Sequence, residues 1–290
     1  MTAMKEGTRP TMEQGMKKGS PVMDAYDVWE TEQRSHRAGA FPTEVLRAIE
    51  RLLPATAAAS AETGCGKSTI LFSNISDSHT VFCLDDREYT DTSSVRFYSE
   101  CPLTKLERIH TVFGATQKTL PLYEHPRMYD VVLIDGPHGW PFPEMEYYSF
   151  YPHIAPGGIL IVDDCHIPTI GRMADVLADD AMWKLEGFVS CTAIFRRTDA
   201  PLFDPTGDGW WEQRYNRRRI SPKWEFHLAD GLPVDTVSRL HLDARLHGDP
   251  VGPLEDIARY PGIPGGASQV RPPVSRRVLQ ALRRLHRGRG

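Results

Sequence analysis

Seven residues, from Glu62 to Ser68, carry the strongest chemical signal in the sequence. They read Glu-Thr-Gly-Cys-Gly-Lys-Ser and lie between a stretch of small residues and a predicted helix. Gly64 and Gly66 allow the backbone to turn sharply and let a ligand lie against the main chain. The pattern predicts the loop of a nucleotide-like cofactor site. The candidate cofactor-binding residues in it are Glu62, Gly64, Cys65, Gly66 and Ser68.

The charge of this loop indicates which cofactor it suits. A P-loop, which binds phosphate, has a glycine where this chain has Ala61, and Glu62 would place a carboxylate among the phosphate-binding N–H groups. The dinucleotide fingerprint fails at its third glycine, which is Thr69 here. S-adenosylmethionine fits better, because it has a ribose, a sulfonium, an ammonium group and no phosphate. A P-loop phosphotransferase stays as the less favoured alternative.

Two further motifs follow in the chain. Asp130–Gly136 contains an apolar strand pattern that is followed by an acid, Asp135. Pro156–Asp164 contains a second such pattern, which begins after two glycines. Together with Glu62–Ser68 they resemble class I S-adenosylmethionine-dependent methyltransferases, most closely the branch with macrocin-type and catechol/caffeoyl-type O-methyltransferases. The resemblance covers about residues 43–198 and implies a Rossmann-like fold that transfers a methyl group to an oxygen of a small molecule.

Acids at the carboxyl ends of strands are the next candidates, because ligands of open parallel sheets bind at that edge. Asp85 and Asp86 follow the predicted second strand, 19 and 20 residues after Gly66. An acid at this point can accept hydrogen bonds from both ribose hydroxyls. We favour Asp85 as the ribose ligand, and the alternative is that the pair caps a turn.

Three more acids are predicted to share one crevice. Asp135 ends the fourth strand, and Asp163 and Asp164 end the fifth. Three carboxylates in a cleft need a cation or a proton, and a hard divalent ion such as Mg²⁺ suits oxygen ligands. In the resembling metal-dependent O-methyltransferases, acids at these strand ends hold the ion that binds the acceptor hydroxyl. Alternatively, Asp135 faces the methionine end of the cofactor while the other two bind the next loop.

Methyl transfer to oxygen also requires a group that removes the acceptor's proton. His138 lies three residues after Asp135, where the catechol-type relatives carry a lysine, and His166 lies two residues after Asp164. Both are candidate bases, with Asp135 as the third candidate catalytic residue. A structural role in a loop is the alternative for each histidine.

Alternating strand and helix patterns predict the frame for these residues, a doubly wound, mostly parallel seven-stranded α/β sheet. The predicted strands are 57–62, 80–84, 108–113, 130–134, 158–162 and a hairpin over 183–188 and 191–196. The predicted helices are 42–53, 67–76, 143–154 and 169–179. The first strand is alanine-rich and has poor strand propensity, but the loop after it requires one.

Outside this frame we predict a mobile N-terminal arm at residues 1–40, followed by the methyltransferase domain at 41–198. A Pro/Gly-rich extension at 199–274 contains ten prolines and eight glycines between Asp199 and Ser275. A basic amphipathic helix at 275–290 ends the chain, with seven arginines and no acid from Arg271 onward. This helix is either solvated or in contact with a membrane surface or an acidic partner.

Composition narrows the function classes. The chain of 290 residues has a formal net charge of −4, and the part before Arg271 is more acidic still, so we expect no nucleic-acid-binding role. Five cysteines with no CxxC pair, and no apolar leader, favour a reducing cytoplasm over a disulfide scaffold or zinc cluster. The leading hypothesis is an S-adenosylmethionine-dependent O-methyltransferase with a small-molecule acceptor. The alternative from another class is a methyltransferase-like binding module without catalysis.

Overall fold

The computed structural model describes residues 19–32, 41–89, 92–202, 209–211 and 213–219. The predicted basic helix at 275–290 and most of the extension at 199–274 lie outside these residues. The one helix described in the extension is short, Arg214–Arg219. Among the described residues, no helix combines the length and the apolar character needed to cross a membrane.

A seven-stranded sheet forms the centre of the protein. Its strand order is β3-β2-β1-β4-β5-β7-β6, and β7 runs antiparallel to both of its neighbours while the other pairs are parallel. This confirms the predicted fold class. The strands are β1 (Ala57–Thr63), β2 (Ser76–Cys83), β3 (Ile109–Phe113), β4 (Tyr129–Ile134), β5 (Ile154–Val162), β6 (Trp183–Val189) and β7 (Thr192–Arg197).

Helices cover both faces of the sheet and give two separate apolar cores. They are α1 (Pro21–Glu32), α2 (Thr43–Leu52), α3 (Lys67–Ile75), α4 (Ser94–Glu100), α5 (Thr116–Thr119), α6 (Phe142–Phe150), α7 (Pro168–Asp179) and α8 (Arg214–Arg219). Each predicted helix is present. The third one is shorter than predicted, because a 3-10 turn over Tyr151–His153 replaces its last part and β5 already begins at Ile154.

The alanine-rich β1 forms despite its composition. It pairs with β2 on one side and with β4 on the other, so it lies at the middle of the sheet. Its residues from Ala59 to Thr63 are all buried. Pairing and burial on both faces thus outweigh weak intrinsic strand propensity here.

The prediction of a mobile arm over residues 1–40 is wrong for α1. Met23 and Tyr26 of this helix are fully buried. The carboxylate of Glu50, on α2, accepts hydrogen bonds from Ser20 Oγ at 2.6 Å and from the N–H groups of Val22 and Met23, each at 3.1 Å. The cap of α1 therefore comes from a residue about 30 positions away, and a search for local start signals misses it.

Candidate functional site

The glycine loop between β1 and α3 is pressed against the end of β4. Gly64 has φ 79°, and an added Cβ would lie 2.3 Å from the carbonyl oxygen of Asp135. Its N–H donates to the carbonyl of Phe82 on β2 at 3.0 Å. Only glycine fits this conformation and this close contact with Asp135. The loop therefore lies against the backbone at the ends of β1, β2 and β4.

Glu62 holds the loop from inside the sheet. It is fully buried, and its Oε1 accepts hydrogen bonds from the hydroxyl of Thr69 and, at 3.1 Å, from His79 Nε2. The Thr69 hydroxyl in turn accepts the N–H of Gly66 at 2.9 Å. Glu62 therefore fixes the shape of the loop through Thr69, and its Oε2 has no hydrogen-bond partner within the described part of the chain.

Cys65 and Ser68 lie where the sequence predicts them, in the loop and in the first turn of α3. Ser68 is buried, and Cys65 is half-buried beside the Cys83 thiol. This contact and burial raise the pKa of the Cys65 thiol. Cys65 therefore stays a neutral thiol and is a packing residue rather than a nucleophile.

Lys67 follows the second loop glycine but does not reach toward a ligand. Its side chain is buried, with Nζ 3.0 Å from Glu30 Oε1 of α1 and over the ring of Tyr26. A P-loop uses the lysine at this position to contact phosphate. With Lys67 held by Glu30, the loop lacks that contact.

The two acids after β2 have different surroundings. Asp85 is exposed and forms an ion pair with Arg87, whose guanidinium lowers the pKa of the carboxyl. Asp86 instead accepts hydrogen bonds from the N–H groups of Ser94 at 2.6 Å and Val95 at 3.1 Å, at the start of α4. The capping role thus belongs to Asp86, while Asp85 remains accessible to a ligand.

At the carboxyl ends of β4 and β5, the structure brings together Asp135, His138 and Asp164. The Nε2 atom of His138 lies 2.7 Å from Asp164 Oδ2 and 3.6 Å from Asp135 Oδ1. Burial raises the pKa of Asp135 to about 7. The Asp135 carboxylate, together with Asp164, raises the pKa of His138 in turn.

Asp163 is directed elsewhere. Its Oδ1 accepts a hydrogen bond from Thr192 Oγ1 at 2.5 Å and lies 3.8 Å from Cys191 Sγ. Burial raises its pKa. Of the three acids predicted to share a metal, Asp135 and Asp164 therefore approach one another around His138, and Asp163 is engaged by β7 and the turn before it.

Asp164 is the centre of the cluster. Its φ of 55° is unusual for a residue with a side chain, and such conformations are typical of functional sites. Its Oδ1 lies 3.4 Å from His166 Nδ1, on the side away from His138. Two groups of three have ligand atoms within 4.8 Å of one another: Asp135, His138 and Asp164, and Asp164, His166 and Cys191.

Comparison with known proteins bears on the part of the chain that contains the loop. Residues 61–165 match a protein-family model described as a methyltransferase domain. The match runs from the end of β1, through the glycine loop, to the residue after Asp164. The domain therefore contains the whole cluster of strand-end acids.

No curated protein matches the sequence. Among solved structures, the domain is similar to the O-methyltransferase TomG from Streptomyces achromogenes, solved with its cofactor (13% identity, 63% of this chain, 100% of that chain, TM-score 0.44). It is also similar to an O-methyltransferase from Bacillus cereus (15%, 63% and 93%, 0.43) and to a methyltransferase from Geobacter sulfurreducens (13%, 63% and 92%, 0.42). Similarity at this level says nothing about the acceptor.

Sequence reasoning missed two polar residues beneath the site. The Thr63 hydroxyl accepts the N–H of Asp135 at 3.1 Å and donates to Glu146 Oε2 at 2.7 Å. Glu146 lies on α6 and is buried. Its proximity to β1 depends on a contact over 83 positions, which no local pattern indicates.

Proposed function

We propose that the methyltransferase domain moves the methyl group of S-adenosylmethionine to an oxygen of a small-molecule acceptor, with His138 as the base. The observation that carries this proposal is the contact of His138 Nε2 with both Asp164 and Asp135. Alkylation of a hydroxyl by a sulfonium requires removal of the hydroxyl proton. A histidine oriented by carboxylates at the cofactor edge of the sheet is suited to that step.

The two nitrogens of His138 have separate roles in this proposal. Both carboxylates contact Nε2, so the neutral imidazole carries its proton there and leaves Nδ1 free to accept another. The acceptor's proton moves to Nδ1, its oxygen attacks the methyl carbon, and the carbon–sulfur bond breaks in line. S-adenosylhomocysteine leaves as a neutral thioether. The two carboxylates then stabilise the imidazolium.

The loop supports a cationic cofactor without phosphate. Gly66 has open space where a side chain would stand, so a ligand can lie against the backbone there, and Lys67, the cation nearest in sequence to the loop glycines, is held by Glu30. Asp85 would accept hydrogen bonds from the ribose hydroxyls after it releases Arg87. Glu62 acts by keeping the loop rigid, since preorganised geometry supplies much of the rate in such displacements.

A divalent ion fits part of the cluster. Asp135 and Asp164 would supply carboxylate oxygens to Mg²⁺, which prefers such ligands. When bound, the ion would lower the pKa of the acceptor hydroxyl. Asp163 is drawn toward Thr192, so the set that these residues offer is smaller than the three acids predicted from sequence. His138 and an ion share the same two carboxylates, so they would compete for them.

The acceptor side of the site is apolar and aromatic. Trp140 is 69% exposed and lies two residues after His138, in the loop that leads to α6. An exposed indole beside a base provides a flat wall for an organic acceptor. We therefore favour a small molecule with a hydroxyl on an apolar framework.

Two experiments test the proposal. Calorimetry with S-adenosylmethionine, ATP and NAD should show binding of the first alone. Incubation with methyl-labelled S-adenosylmethionine and a panel of phenols, sugars and polyketides, with Mg²⁺ or with EDTA, should then label an acceptor. Binding of S-adenosylmethionine without transfer to any acceptor class would favour the binding module. Binding of ATP with no binding of S-adenosylmethionine would rule out both the methyltransferase and the binding module.

A further inference from the structure

A second group of metal-binding side chains borders the site, and the mechanism above does not use it. It consists of Asp164, His166 and Cys191, and one ligand atom of each lies within 4.8 Å of the others. The two oxygens of Asp164 have different neighbours, since Oδ2 is 2.7 Å from Nε2 of His138 and Oδ1 is 3.4 Å from Nδ1 of His166. The second group can therefore bind an ion while His138 keeps its contact with Asp164.

The donor atoms of this group indicate which metal it would bind. A thiolate sulfur and an imidazole nitrogen suit Zn²⁺ and similar transition metals, whereas Mg²⁺ prefers oxygen ligands. Two ligand atoms around a tetrahedral Zn²⁺ are about 3.4–3.6 Å apart, as follows from the usual bond lengths. The distance of 3.4 Å between Asp164 and His166 already has this value. The sulfur of Cys191, at no more than 4.8 Å, would need to move by about 1 Å.

The backbone holds these three side chains together. Cys191 lies in the two-residue turn between β6 and β7, and its carbonyl accepts the N–H of Cys165, the residue after Asp164, at 2.8 Å. Asp164 and Ser190, with φ of 55° and 57°, are the two non-glycine residues of the described ranges that have left-handed backbone. Such conformations cost energy and are typical of functional sites. One of them belongs to the group and the other precedes Cys191, so the unusual backbone is concentrated where the ligands meet.

Asp163 lies beside the thiol of this group. The Sγ atom of Cys191 donates to Asp163 Oδ1 at 3.8 Å, and the same oxygen accepts the hydroxyl of Thr192. A thiol loses its proton when it binds a metal, and an adjacent carboxylate can pass that proton to solvent. Asp163 is therefore placed to assist a ligand, rather than to be one of three acids around the metal.

We propose that Asp164, His166 and Cys191 bind one Zn²⁺ ion and leave the fourth position of the tetrahedron open. Three protein ligands and an open position are typical of catalytic zinc sites, whereas structural sites have four protein ligands. Both the donor atoms and the metal differ from the three-acid magnesium site predicted from sequence. The inference goes beyond the proposed function, because the ion would bind whether or not methyl transfer occurs.

The test uses Co²⁺ as a probe for the metal. A thiolate bound to Co²⁺ gives an absorption band in the near ultraviolet that oxygen and nitrogen ligands do not give. One equivalent of Co²⁺, added to the intact reduced protein, should produce this band together with the strong visible absorption of tetrahedral Co²⁺. Zn²⁺ should remove both signals, and a roughly hundredfold excess of Mg²⁺ should leave them in place.

Two variants identify the ligands, and each has a matched control. Cys191→Ser should abolish the near-ultraviolet band, and both Cys191→Ser and His166→Asn should weaken Zn²⁺ binding at least about tenfold. His166 is exposed, so we expect its variant to fold as the original does. The controls are Cys101→Ala, at a buried cysteine after α4, and His110→Asn, at an exposed histidine of β3. Both controls should keep the band and the affinity for Zn²⁺.

Absence of the thiolate band in the unmodified protein would overturn the inference, and this measurement needs no variant to fold. Co²⁺ that binds without the band would indicate an oxygen site at Asp135 and Asp164 instead. A band that survives in Cys191→Ser would also overturn the inference, because the sulfur would then come from another cysteine. Binding of S-adenosylmethionine and methyl transfer are measured separately, so the failure of the zinc site and the failure of the proposed function are distinguishable.

Discussion

Two clusters of acid and histidine use the same residue types in different ways. Glu62 and His79 lie within neighbouring strands, and both are fully buried. His138 and Asp164 lie beyond the ends of their strands, 48% and 24% exposed at their side chains. The inner pair supports the glycine loop, and in the proposed function the outer pair acts on the acceptor. An acid and a histidine within the paired part of a strand thus have a structural role, whereas the same residues beyond the strand end are placed for chemistry.

The inner cluster continues into a closed network. His79 Nδ1 is 2.8 Å from Ser60 Oγ, which is 2.7 Å from Ser76 Oγ. All of these atoms are buried between β1 and β2. In the outer cluster, Nδ1 of His138 and the ring of His166 have no such enclosure. Substitutions should therefore separate folding from activity, and four of them test the comparison.

The largest effect should follow removal of the outer histidine. His138→Ala should lower methyl transfer about 10²- to 10⁴-fold, the usual contribution of a general base. The free energy of unfolding should change little, because His138 is half exposed. Initial rates with a labelled cofactor give the first quantity and urea denaturation gives the second. His110→Ala, at an exposed histidine on β3, is the control, and an equal loss of rate there would remove the special role of His138.

Removal of the inner acid, Glu62, should have its main effect on the free energy of unfolding. Glu62→Ala removes the buried acceptor that the Thr69 hydroxyl and His79 Nε2 share, so we expect a loss of about 2–4 kcal/mol in the free energy of unfolding. Glu62→Gln keeps one acceptor oxygen and should lose less. Urea denaturation followed by circular dichroism measures both. A Glu62→Ala protein as stable as the original would show that the inner network does not support the fold.

A third histidine tests whether enclosure, rather than residue type, decides the behaviour. Burial lowers the pKa of His125 to about 4, and its ring stacks on His153 with 4.1 Å between centroids. The unfolded chain binds the proton near pH 6.5. Stability is therefore complete above about pH 6.5 and falls as the pH drops toward 4, by roughly 1–2 kcal/mol after allowance for partial exposure.

His125→Phe should flatten this acid dependence. The measurement is the urea midpoint from pH 4 to pH 7.5, for the original protein and for the variant. His110→Ala serves as the matched substitution at an exposed histidine. An unchanged slope in His125→Phe would show that the acid sensitivity comes from other groups.

The smallest effect concerns the acid after β2. Asp85→Asn should weaken S-adenosylhomocysteine about tenfold, since it removes the charged acceptor for two ribose hydroxyls. The denaturation midpoint should stay unchanged because the ion pair with Arg87 is exposed. Calorimetry measures the affinity. Asp77→Asn, at an exposed acid on β2, is the control, and equal affinities for all three proteins would exclude Asp85 as the ribose ligand.

The sequence predicts the sheet well because burial on both faces leaves apolar runs such as those of β4 and β5. It also predicts the glycine loop, since the conformation of Gly64 restricts the residue type directly. Both features depend on short stretches of chain. The doubly wound, mostly parallel seven-stranded sheet agrees with the structure, whereas the order of its strands comes from the structure alone.

Features that depend on distant contacts could not be predicted. The cap of α1 by Glu50 joins residues about 30 positions apart, and the contact of Glu146 with Thr63 spans 83. The direction of Asp163 is similar, because it depends on Thr192, 29 positions later. The sequence places Asp163 and Asp164 side by side, but it does not show that Asp163 bonds to Thr192 while Asp164 contacts His138.

The ion pair between Lys67 and Glu30 connects helix α1 with the affinity of the protein for its cofactor. A protein shortened to begin at residue 41 would retain the whole sheet and every strand-end acid. It would also leave the ammonium of Lys67 without its carboxylate partner, one residue after Gly66 and thus near the loop proposed to bind a positively charged cofactor. Such a protein would bind S-adenosylmethionine less tightly than S-adenosylhomocysteine, the uncharged thioether product. The exchange of product for fresh cofactor after each turnover would therefore be slower.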